Sequence, residues 1–400
     1  MREAEYARLW QWRQGKRLGP WEVVFFPTNR CNQRCVHCWQ RRAEGEAAGI
    51  PGDELSDARL IEMVDEAHAL GARYCYIVGG GEPMIRARVV MEMCEKIRAY
   101  GMFGTLHTNG ALFSRNHLER LVQAGWNEVV VSLDGPDAET NDALRGPGAF
   151  DSVMKNLKRL AEIRRQHQTA LPKVTLNMVI TNTNFDKLDR MVQLAHDLEC
   201  GGGLVYSAIL PLNDDCARLE LNDSQREQLP EHVRRAIDLA DRLKVPHLFD
   251  SLLPGNEGSS DATTTPSPRR YHRFSDSLCF EACRSLTITA DGLTGPCCMS
   301  WDQEAPRVQK ERLDEIWYGD YFKRLRQRLR RHRDLPAYCR DCPDHLKTST
   351  RHFRARLKAD ELPKSRLGRM LGHIRQFRGQ RTREALKRHL GRFFGRGSGG

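Results

Sequence analysis

Short apolar, β-rich runs alternate with longer amphipathic segments from residue 21 to about residue 245. The predicted strands are WEVVFFPT (21–28), YCYIVGG (74–80), FGTLHT (103–108), EVVVSLD (128–134), VTLNMVIT (174–181) and LVYSAIL (204–210). Helices are predicted at 56–70, 88–100, 115–124, 149–167, 186–198 and 222–244. Six strand-then-helix units in series predict an α/β fold with a parallel sheet, either open or curled into a partial barrel. The strands are apolar almost throughout, which indicates burial on both faces.

Unusual residues follow four of these strands at the point where each strand ends. CNQRCVHC (31–38) follows the first strand, GGGEP (79–83) the second and TNG (108–110) the third, and SLDG (132–135) ends the fourth. Parallel α/β folds gather their chemistry at the carboxyl edge of the sheet. We therefore expect these segments to meet at one edge.

Thirteen cysteines are unevenly distributed over the 400 residues. The chain has neither an apolar run of about 18 residues nor an N-terminal signal-peptide pattern, so we expect a cytoplasmic protein. In a reducing cytosol, clustered thiols indicate metal binding or catalysis rather than disulfides. Two groups stand out, at 31, 35 and 38 and at 279, 283, 297, 298, 339 and 342. Four others, at 75, 94, 200 and 216, are isolated.

Three thiols within eight residues can converge on one inorganic centre. A structural zinc site needs a fourth ligand, and His37 could supply it, although its position next to Cys38 makes simultaneous ligation awkward. A [4Fe–4S] cluster held by Cys31, Cys35 and Cys38 would instead keep one iron open to another ligand.

The CxxxCxxC spacing after the first strand resembles the signature of the radical S-adenosylmethionine (radical SAM) enzymes. GGGEP resembles that superfamily's segment for the methionine amino group, where glycine permits close backbone approach. SLDG, followed by NDALRGPGAFDSVMKNL, is similar to the ribose-contacting strand and next helix of the subgroup with molybdopterin-precursor cyclases and sulfatase-maturing enzymes. The resemblance covers residues 20–215. One departure is His37, which stands where an aromatic residue is common and can still stack near adenine.

The resemblance implies a partial (β/α)6 TIM-like barrel and an iron–sulfur oxidoreductase that cleaves S-adenosylmethionine to a 5′-deoxyadenosyl radical. It implies a catalytic [4Fe–4S] cluster on the three clustered cysteines, with the open iron chelating the amino and carboxylate groups of the cofactor. The implied cofactor-binding residues are Gly80, Gly81 and Glu82 at the methionine end, Ser132 at the ribose, and Asn109 and Arg145.

The second cysteine group belongs to a separate pattern. CFEACRSLTITADGLTGPCC, LDEIW and CRDCP resemble the SPASM/twitch extension of many radical SAM enzymes, which implies one auxiliary [4Fe–4S] cluster for electron transfer. The implied ligands are Cys279, Cys297, Cys339 and Cys342, with Cys283 and Cys298 as rivals of the first two. A zinc ribbon is the alternative. The strand-like SLTITADG is expected to form a hairpin arm.

These patterns divide the chain into five predicted parts. They are an N-terminal extension (1–20), a radical SAM core (21–250), a flexible linker rich in Ser, Thr, Gly and Pro (251–275), the auxiliary-cluster module (276–346) and a basic amphipathic tail (347–400). The linker composition is typical of a connection without periodic structure.

Positive charge is concentrated in the tail. Residues 347–400 carry sixteen Lys and Arg against three Asp and Glu, whereas the whole chain has a net charge of +11. The main body therefore gives no support to a general nucleic-acid-binding surface. Segment 364–396 interleaves basic and apolar residues, which suits an anionic membrane surface, a nucleic-acid or acidic-partner contact, or a solvated extension.

The predicted function is oxidation, dehydrogenation or maturation of a peptide or sugar-type substrate, with a flavodoxin or ferredoxin as external electron donor. One alternative is a sugar epimerase that uses Cys200 or Cys216 as hydrogen donor. Another, from a different class, is a non-catalytic zinc-binding adaptor whose basic tail recruits a partner.

Overall fold

A computed structural model describes residues 2–38, 53–209, 213–253, 277–300, 302, 304–340, 342 and 351–360. The chain forms two compact units. The core unit comprises Leu18–Thr265 and Ala282–Lys323, and the terminal unit comprises Met1–Arg17, Pro266–Glu281 and Arg324–Gly400.

The core unit contains one sheet. Its strands are β1 (Glu22–Phe25), β2 (Tyr74–Ile77), β3 (Phe103–Thr108), β4 (Glu128–Ser132), β5 (Lys173–Ile180), β6 (Gly203–Ala208), β7 (Ser285–Ile288) and β8 (Thr294–Gly295). Their spatial order is β6-β5-β4-β3-β2-β1-β7-β8, parallel throughout except for the antiparallel pair β7 and β8. The six predicted strands and the partial (β/α)6 arrangement are confirmed.

Helices connect the strands and extend beyond them. The α-helices are α1 (Arg2–Arg13), α2 (Asp57–Ala69), α3 (Ala87–Ala99), α4 (Arg115–Gln123), α5 (Ala138–Arg145), α6 (Ala149–Gln166), α7 (Leu188–Asp197), α8 (Asp214–Ala217), α9 (Asp223–Leu243), α10 (Leu313–Tyr318), α11 (Asp320–Arg331), α12 (Ala337–Arg340) and α13 (Arg351–Asp360). Short 3₁₀ turns span Pro83–Arg86, Phe249–Leu252 and Glu281–Cys283. The six predicted helices correspond to α2, α3, α4, α6, α7 and α9.

Local side-chain chemistry sets where several helices begin. The Ser56 hydroxyl accepts a hydrogen bond from the Arg59 backbone N–H at 3.2 Å and starts α2. Asn222 and Gln225 form a reciprocal capping box at the start of α9. Caps of this kind satisfy N–H groups that the first turn leaves without intrahelical partners.

Strand β4 shows how the sheet separates its two faces. Val129 and Val131 are fully buried and line a small gap together with Leu118 of α4 and Leu157 of α6. Since side chains alternate along a strand, Val130 and Ser132 face away from these helices. We call this opposite side, which carries Val130 and Ser132, the helix-free face, because α4 and α6 pack on the side of Val129 and Val131.

Strand β7 lies in the predicted SLTITADG arm and forms the expected hairpin with β8. It also pairs in parallel with β1, with Val23 opposite Leu286 and Phe25 opposite Ile288. All four residues of β7 are buried. The pairing supplies hydrogen-bond partners to the backbone groups of β1 that would otherwise form a sheet edge.

Two sequence predictions concern residues outside the described ranges. Most of the linker 251–275 and the whole of segment 364–396 fall there. Among the residues that are described, no helix has the length and apolar character needed to cross a bilayer.

A glycine on β3 provides a test of the helix-facing packing. A Cβ on Gly104 would overlap the ring of Trp126, which is fully buried. We expect Gly104→Ala to lower the free energy of unfolding by about 1–3 kcal/mol, because a close-packed core does not accept an added methyl group without strain. Urea unfolding followed by tryptophan fluorescence measures this effect.

The matched control is Gly201→Ala. A Cβ at Gly201 meets no atom within 4 Å. This variant should keep the wild-type stability to within about 0.5 kcal/mol. Equal stability of the Gly104 and Gly201 variants would contradict the packing argument.

Candidate active site

The predicted cysteine loop follows the carboxyl end of β1. The Phe26 N–H donates to the Ile288 carbonyl of β7 at 2.9 Å, and the Val36 N–H donates to the Leu144 carbonyl of α5 at 2.9 Å. Within the loop, the Cys38 N–H donates to the Cys35 carbonyl at 3.2 Å. The loop is therefore held from both sides of the sheet edge.

The three thiols of this loop are close enough to act on one another electrostatically. Burial raises the pKa of Cys35 to about 11, and the Arg145 charge opposes that rise. Burial also raises the pKa of Cys31, and the nearby Cys38 thiol raises it further. In the described ranges no three Cys, His, Asp or Glu side chains are arranged to hold a metal ion as they stand. Ligation of one cluster by these three thiols, which requires their deprotonation, stays a prediction.

The GGGEP loop after β2 packs directly on the cysteine loop. The Gly81 N–H donates to the Thr28 carbonyl at 3.0 Å, and the Glu82 N–H donates to the Arg30 carbonyl at 2.8 Å. A Cβ on Gly81 would overlap the Arg30 carbonyl. Glycine is therefore required at 81 for contact between two protein loops.

The carbonyl oxygens of Gly80 and Gly81 accept no hydrogen bond from any residue that the structure describes. A carbonyl oxygen at such a position can accept from an ammonium group. Binding of a methionine amino group by this loop stays a prediction.

The Glu82 carboxylate lies beneath these loops and is 2% exposed. Its Oε1 accepts from the Met84 N–H at 2.9 Å and from the Thr108 hydroxyl at 2.7 Å, and its Oε2 accepts from the Asn109 N–H at 2.7 Å. Burial raises the pKa of Glu82, and the hydrogen bonds from Asn109, Thr108 and Met84 act in the opposite direction. This side chain joins the loop after β2 to the loop after β3.

Asn109 extends the connection back to the cysteine loop. Its Nδ2 donates to Asn32 Oδ1 at 2.8 Å, and its Oδ1 accepts from the Ala111 N–H at 3.0 Å. The side chain thus orients the loop beside the thiols. A direct contact between Asn109 and a cofactor stays a prediction.

A buried charged group at the end of β4 went unnoticed in the sequence. Asp134 is fully buried, and its Oδ2 lies 2.7 Å from Arg145 Nε and 3.4 Å from His37 Nε2. Its Oδ1 accepts from the Val179 N–H of β5 at 2.7 Å. Burial lowers the pKa of His37, so this imidazole is neutral at pH 7. The aspartate in SLDG was the available signal, because an acid that directly follows an apolar strand is expected to be buried with a partner.

Arg145 reaches from α5 towards the cysteine loop. Its NH1 lies 4.0 Å from Cys35 Sγ, while its Nε pairs with Asp134. The predicted residues Arg145 and Cys35 are therefore neighbours. The Arg145 charge acts to lower the pKa of Cys35 against the effect of burial.

The helix-free face of the sheet carries polar and aromatic side chains near the same edge. Ser132 is in register with Asn177 of β5, and Ser207 of β6 donates to Asn177 Oδ1 at 3.5 Å. On β3, the His107 ring lies 6.5 Å from the Tyr76 ring. Burial alone lowers the pKa of His107 to about 4. This strand histidine was not singled out in the sequence, since one His in an apolar run carries no motif.

Three predicted auxiliary ligands come together in the terminal unit. Burial raises the pKa of Cys279 to about 12, and the nearby Glu281, Cys339 and Cys342 add to the rise. Burial likewise raises the pKa of Cys339 to about 11, with Cys342 contributing. Three neighbouring thiols fit an iron–sulfur or zinc site.

The other candidates of that group belong to the core unit. Cys297 is half-buried, Cys298 is exposed and Cys283 is buried. The choice of Cys297 over Cys298, and of Cys279 over Cys283, stays a prediction.

The two thiols suggested as hydrogen donors lie in different places. Cys200 precedes β6, at the amino edge of the sheet, and is 5% exposed. Cys216 lies in α8, after β6, and is fully buried. The cysteine loop lies at the carboxyl edge, which is the opposite edge from Cys200.

The buried pair of Asp134 and Arg145 generates a stability prediction. We expect Asp134→Asn to lower the free energy of unfolding by about 3 kcal/mol, because it leaves the Arg145 charge buried without its counterion. Adding Arg145→Met should recover part of this loss. Urea unfolding of the two single variants and the double variant measures the coupling.

The control for this comparison of single and double variants is Glu199→Gln. Glu199 pairs with Arg165 at the surface, where both side chains are more than half exposed. Its removal should cost less than about 1 kcal/mol. An equal loss of unfolding free energy in the Asp134 and Glu199 variants would show that the buried pair stabilises the fold no more than a surface pair does.

A titration prediction follows from the half-buried imidazole of His107. Its pKa of about 4 keeps the ring neutral through the physiological range, and the ring gains a proton only as the pH falls through that value. Histidine NMR of the iron-free protein should show one midpoint near 4, and His107→Gln should remove it. Since the unfolded chain binds this proton near pH 6.5, stability should fall as the pH drops from about 6.5 to 4. A midpoint near 6.5 for His107 would contradict the burial argument.

Comparison with known families agrees with both cysteine groups. Residues 25–195 match the Radical SAM superfamily, and residues 279–343 match the SPASM iron–sulfur cluster-binding domain.

Curated relatives align over differing shares of the chain. The Fe-coproporphyrin III synthase of Methanosarcina barkeri is 36% identical over 324 residues, covering 76% of this chain and 71% of that protein. The PqqA peptide cyclase of Granulibacter bethesdensis is 28% identical and covers 79% of this chain and 77% of that protein. The mycofactocin maturase MftC of Mycobacterium tuberculosis is 33% identical over 175 residues, and the chain spans only 40% of its length.

Among solved structures, Streptococcus suis SuiB bound to S-adenosylmethionine has the same fold. The TM-score is 0.58 at 17% identity, over 81% of this chain and 69% of that one. The two family matches indicate an enzyme that uses S-adenosylmethionine and a [4Fe–4S] cluster, with auxiliary iron–sulfur chemistry in the SPASM domain. The chain belongs to the radical SAM superfamily and carries a C-terminal SPASM domain.

Proposed function

We propose that this enzyme removes a hydrogen atom from a peptide substrate held against the helix-free face of its sheet, as the first step of an oxidation. One observation carries the proposal. The cysteine loop, the glycine loop and Asn109 meet at one sheet edge, beside the helix-free face with Ser132 and His107. When bound there, the cluster and S-adenosylmethionine supply a 5′-deoxyadenosyl radical on one-electron reduction.

The chain's own residues have separable tasks in this proposal. Cys31, Cys35 and Cys38 hold the cluster, and the carbonyls of Gly80 and Gly81 bind the methionine amino group. The Glu82 carboxylate accepts hydrogen bonds from the Met84 and Asn109 N–H groups and from the Thr108 hydroxyl, so it orients these loops. Arg145 pairs with Asp134 and lies 4.0 Å from Cys35 Sγ, so its task is to keep a positive charge beside the thiols.

The helix-free face is suited to radical chemistry. Tyr76, His107, Ser132 and Asn177 are polar but uncharged at pH 7. They can orient a substrate by hydrogen bonds without supplying a strong acid or base. Their proposed task is to position one carbon–hydrogen bond and to exclude water.

A peptide is the first substrate class because PqqA peptide cyclase aligns over more than three quarters of both chains. An iron porphyrin is the second candidate, and it is favoured by the higher identity to Fe-coproporphyrin III synthase. The sugar-type substrate and the epimerase alternative receive no support from these relatives. Family membership also leaves the zinc-adaptor hypothesis without support.

A cytoplasmic location remains part of the proposal, because low-potential iron–sulfur clusters and reduced thiols need a reducing compartment. A flavodoxin or ferredoxin electron donor, one auxiliary cluster and the membrane role of 364–396 also remain proposals.

The test replaces each loop cysteine by alanine in protein reconstituted anaerobically with iron and sulfide. We expect each of Cys31→Ala, Cys35→Ala and Cys38→Ala to lose about four irons per chain and to reduce 5′-deoxyadenosine formation at least about 100-fold, because the cluster loses a ligand. Iron and sulfide analysis and mass spectrometry measure the two effects.

Cys75→Ala is the matched control, since Cys75 is a buried thiol of β2 remote from the loop in sequence. It should keep wild-type iron content and product. Zinc in place of iron and sulfide, or full activity of the loop variants, would refute the proposed function. Candidate peptides and iron porphyrins are then compared by the increase in 5′-deoxyadenosine and by a product two hydrogens lighter.

A further inference from the structure

Helix α11 presents a stripe of arginines on one side. Arg324, Arg328 and Arg331 are spaced by four and three residues, so they share one face of the helix. All three are exposed, while Leu325 and Leu329 on the other side are 2% and 3% exposed. The helix therefore buries its apolar face and directs the stripe to solvent.

The stripe lacks local neutralisation. No carboxylate of the described residues lies within 4.0 Å of Arg324, Arg328 or Arg331. Residues 324–340 contain seven arginines and one acid, Asp334. Three like charges that have no carboxylate partner in the described ranges repel one another, so this stripe stabilises binding of an acidic surface rather than the fold.

This stripe lies beside the thiols of the terminal unit. The Leu278 N–H donates to the Leu329 carbonyl at 3.0 Å, which sets Cys279 next to the last turns of α11. Cys339 and Cys342 influence the pKa of Cys279 from nearby. Arg340, also exposed, stands between those two cysteines in sequence and donates to the Leu335 carbonyl at 3.1 Å.

We propose that Arg324, Arg328 and Arg331 form the docking surface for an acidic electron-carrier protein of the flavodoxin or ferredoxin class, an inference that rests on the proposed function. Electron transfer needs the two redox groups to approach closely, and a charged stripe bordering the thiols orients the carrier for that approach. A lipid or nucleic-acid surface would be attracted by the same charge, but neither explains why the stripe borders the cysteines.

Docking serves the transfer of one electron. The reduced carrier loses that electron and the protein's iron–sulfur centre gains it, with no bond made or broken. Because the contacts are exposed charges, they act mainly on the rate of association and are screened by salt.

The test measures binding of a purified acidic bacterial flavodoxin to the full-length reconstituted enzyme by biolayer interferometry at several salt concentrations. We expect R324E/R328E/R331E to weaken binding at least about tenfold at low salt and to flatten its salt dependence. The neutral variant R324Q/R328Q/R331Q should give a smaller loss in the same direction. Thermal unfolding and iron content should match wild type, since the side chains are exposed.

The control K155E/K158E/R234E makes the same charge change at exposed positions of α6 and α9. It should leave flavodoxin binding within about twofold. Equal loss in both triple variants, or no loss in the α11 variants, overturns the proposal. So does a variant that loses binding to phosphatidylglycerol vesicles while it keeps flavodoxin, because this outcome assigns the stripe to a lipid surface.

A chemical reductant separates this inference from the proposed function. With titanium(III) citrate, the α11 variants should form 5′-deoxyadenosine at the wild-type rate, whereas with reduced flavodoxin their rate should fall. Absence of product from wild type with titanium(III) citrate would refute the proposed function alone, because flavodoxin binding is measured independently.

Discussion

The hydrogen bonds to the buried Glu82 carboxylate are the constraint on which the arrangement of the site depends. One oxygen accepts from Met84 and Thr108 and the other from Asn109, while the Glu82 N–H donates to Arg30. A buried carboxylate is stable only when it is satisfied in this way. The loops after β1, β2 and β3 therefore hold one geometry at the sheet edge. The cysteine loop keeps its position because the Glu82 N–H donates to the Arg30 carbonyl next to Cys31.

The pair of Asp134 and Arg145 performs the corresponding task for the loops after β4. Asp134 is bound to the Val179 N–H of β5, so its position is set by the sheet. Arg145, held by that carboxylate, lies at hydrogen-bond distance for sulfur from Cys35. The fourth strand thus contributes charge to the cysteine loop, although the two are about a hundred residues apart in sequence.

The sequence predicted the βα alternation and the order of the motifs, because hydrophobic period and strand-end motifs are local properties. FGTLHT was predicted at 103–108 and forms β3 over the same residues. It did not predict the pairing of β7 with β1, which joins segments about 260 residues apart. Nor did it predict that the Glu82 carboxylate accepts its hydrogen bonds from protein groups, or that His37 lies beside Asp134. Such partners are chosen by packing, and no residue spacing records them.

The sequence by itself determined the chemistry: three thiols in one loop, a glycine loop after the next strand and a second cysteine group. Residue type and spacing are properties of the primary structure, so they can be read without knowledge of the fold. Tertiary structure alone decided which side chains meet. Parallel strand pairing brings separate loops to one edge, and burial there selects partners for each charge. The exposed arginine stripe beside the second thiol group is likewise a product of helix packing, because only the buried leucines of α11 determine which side of that helix faces solvent.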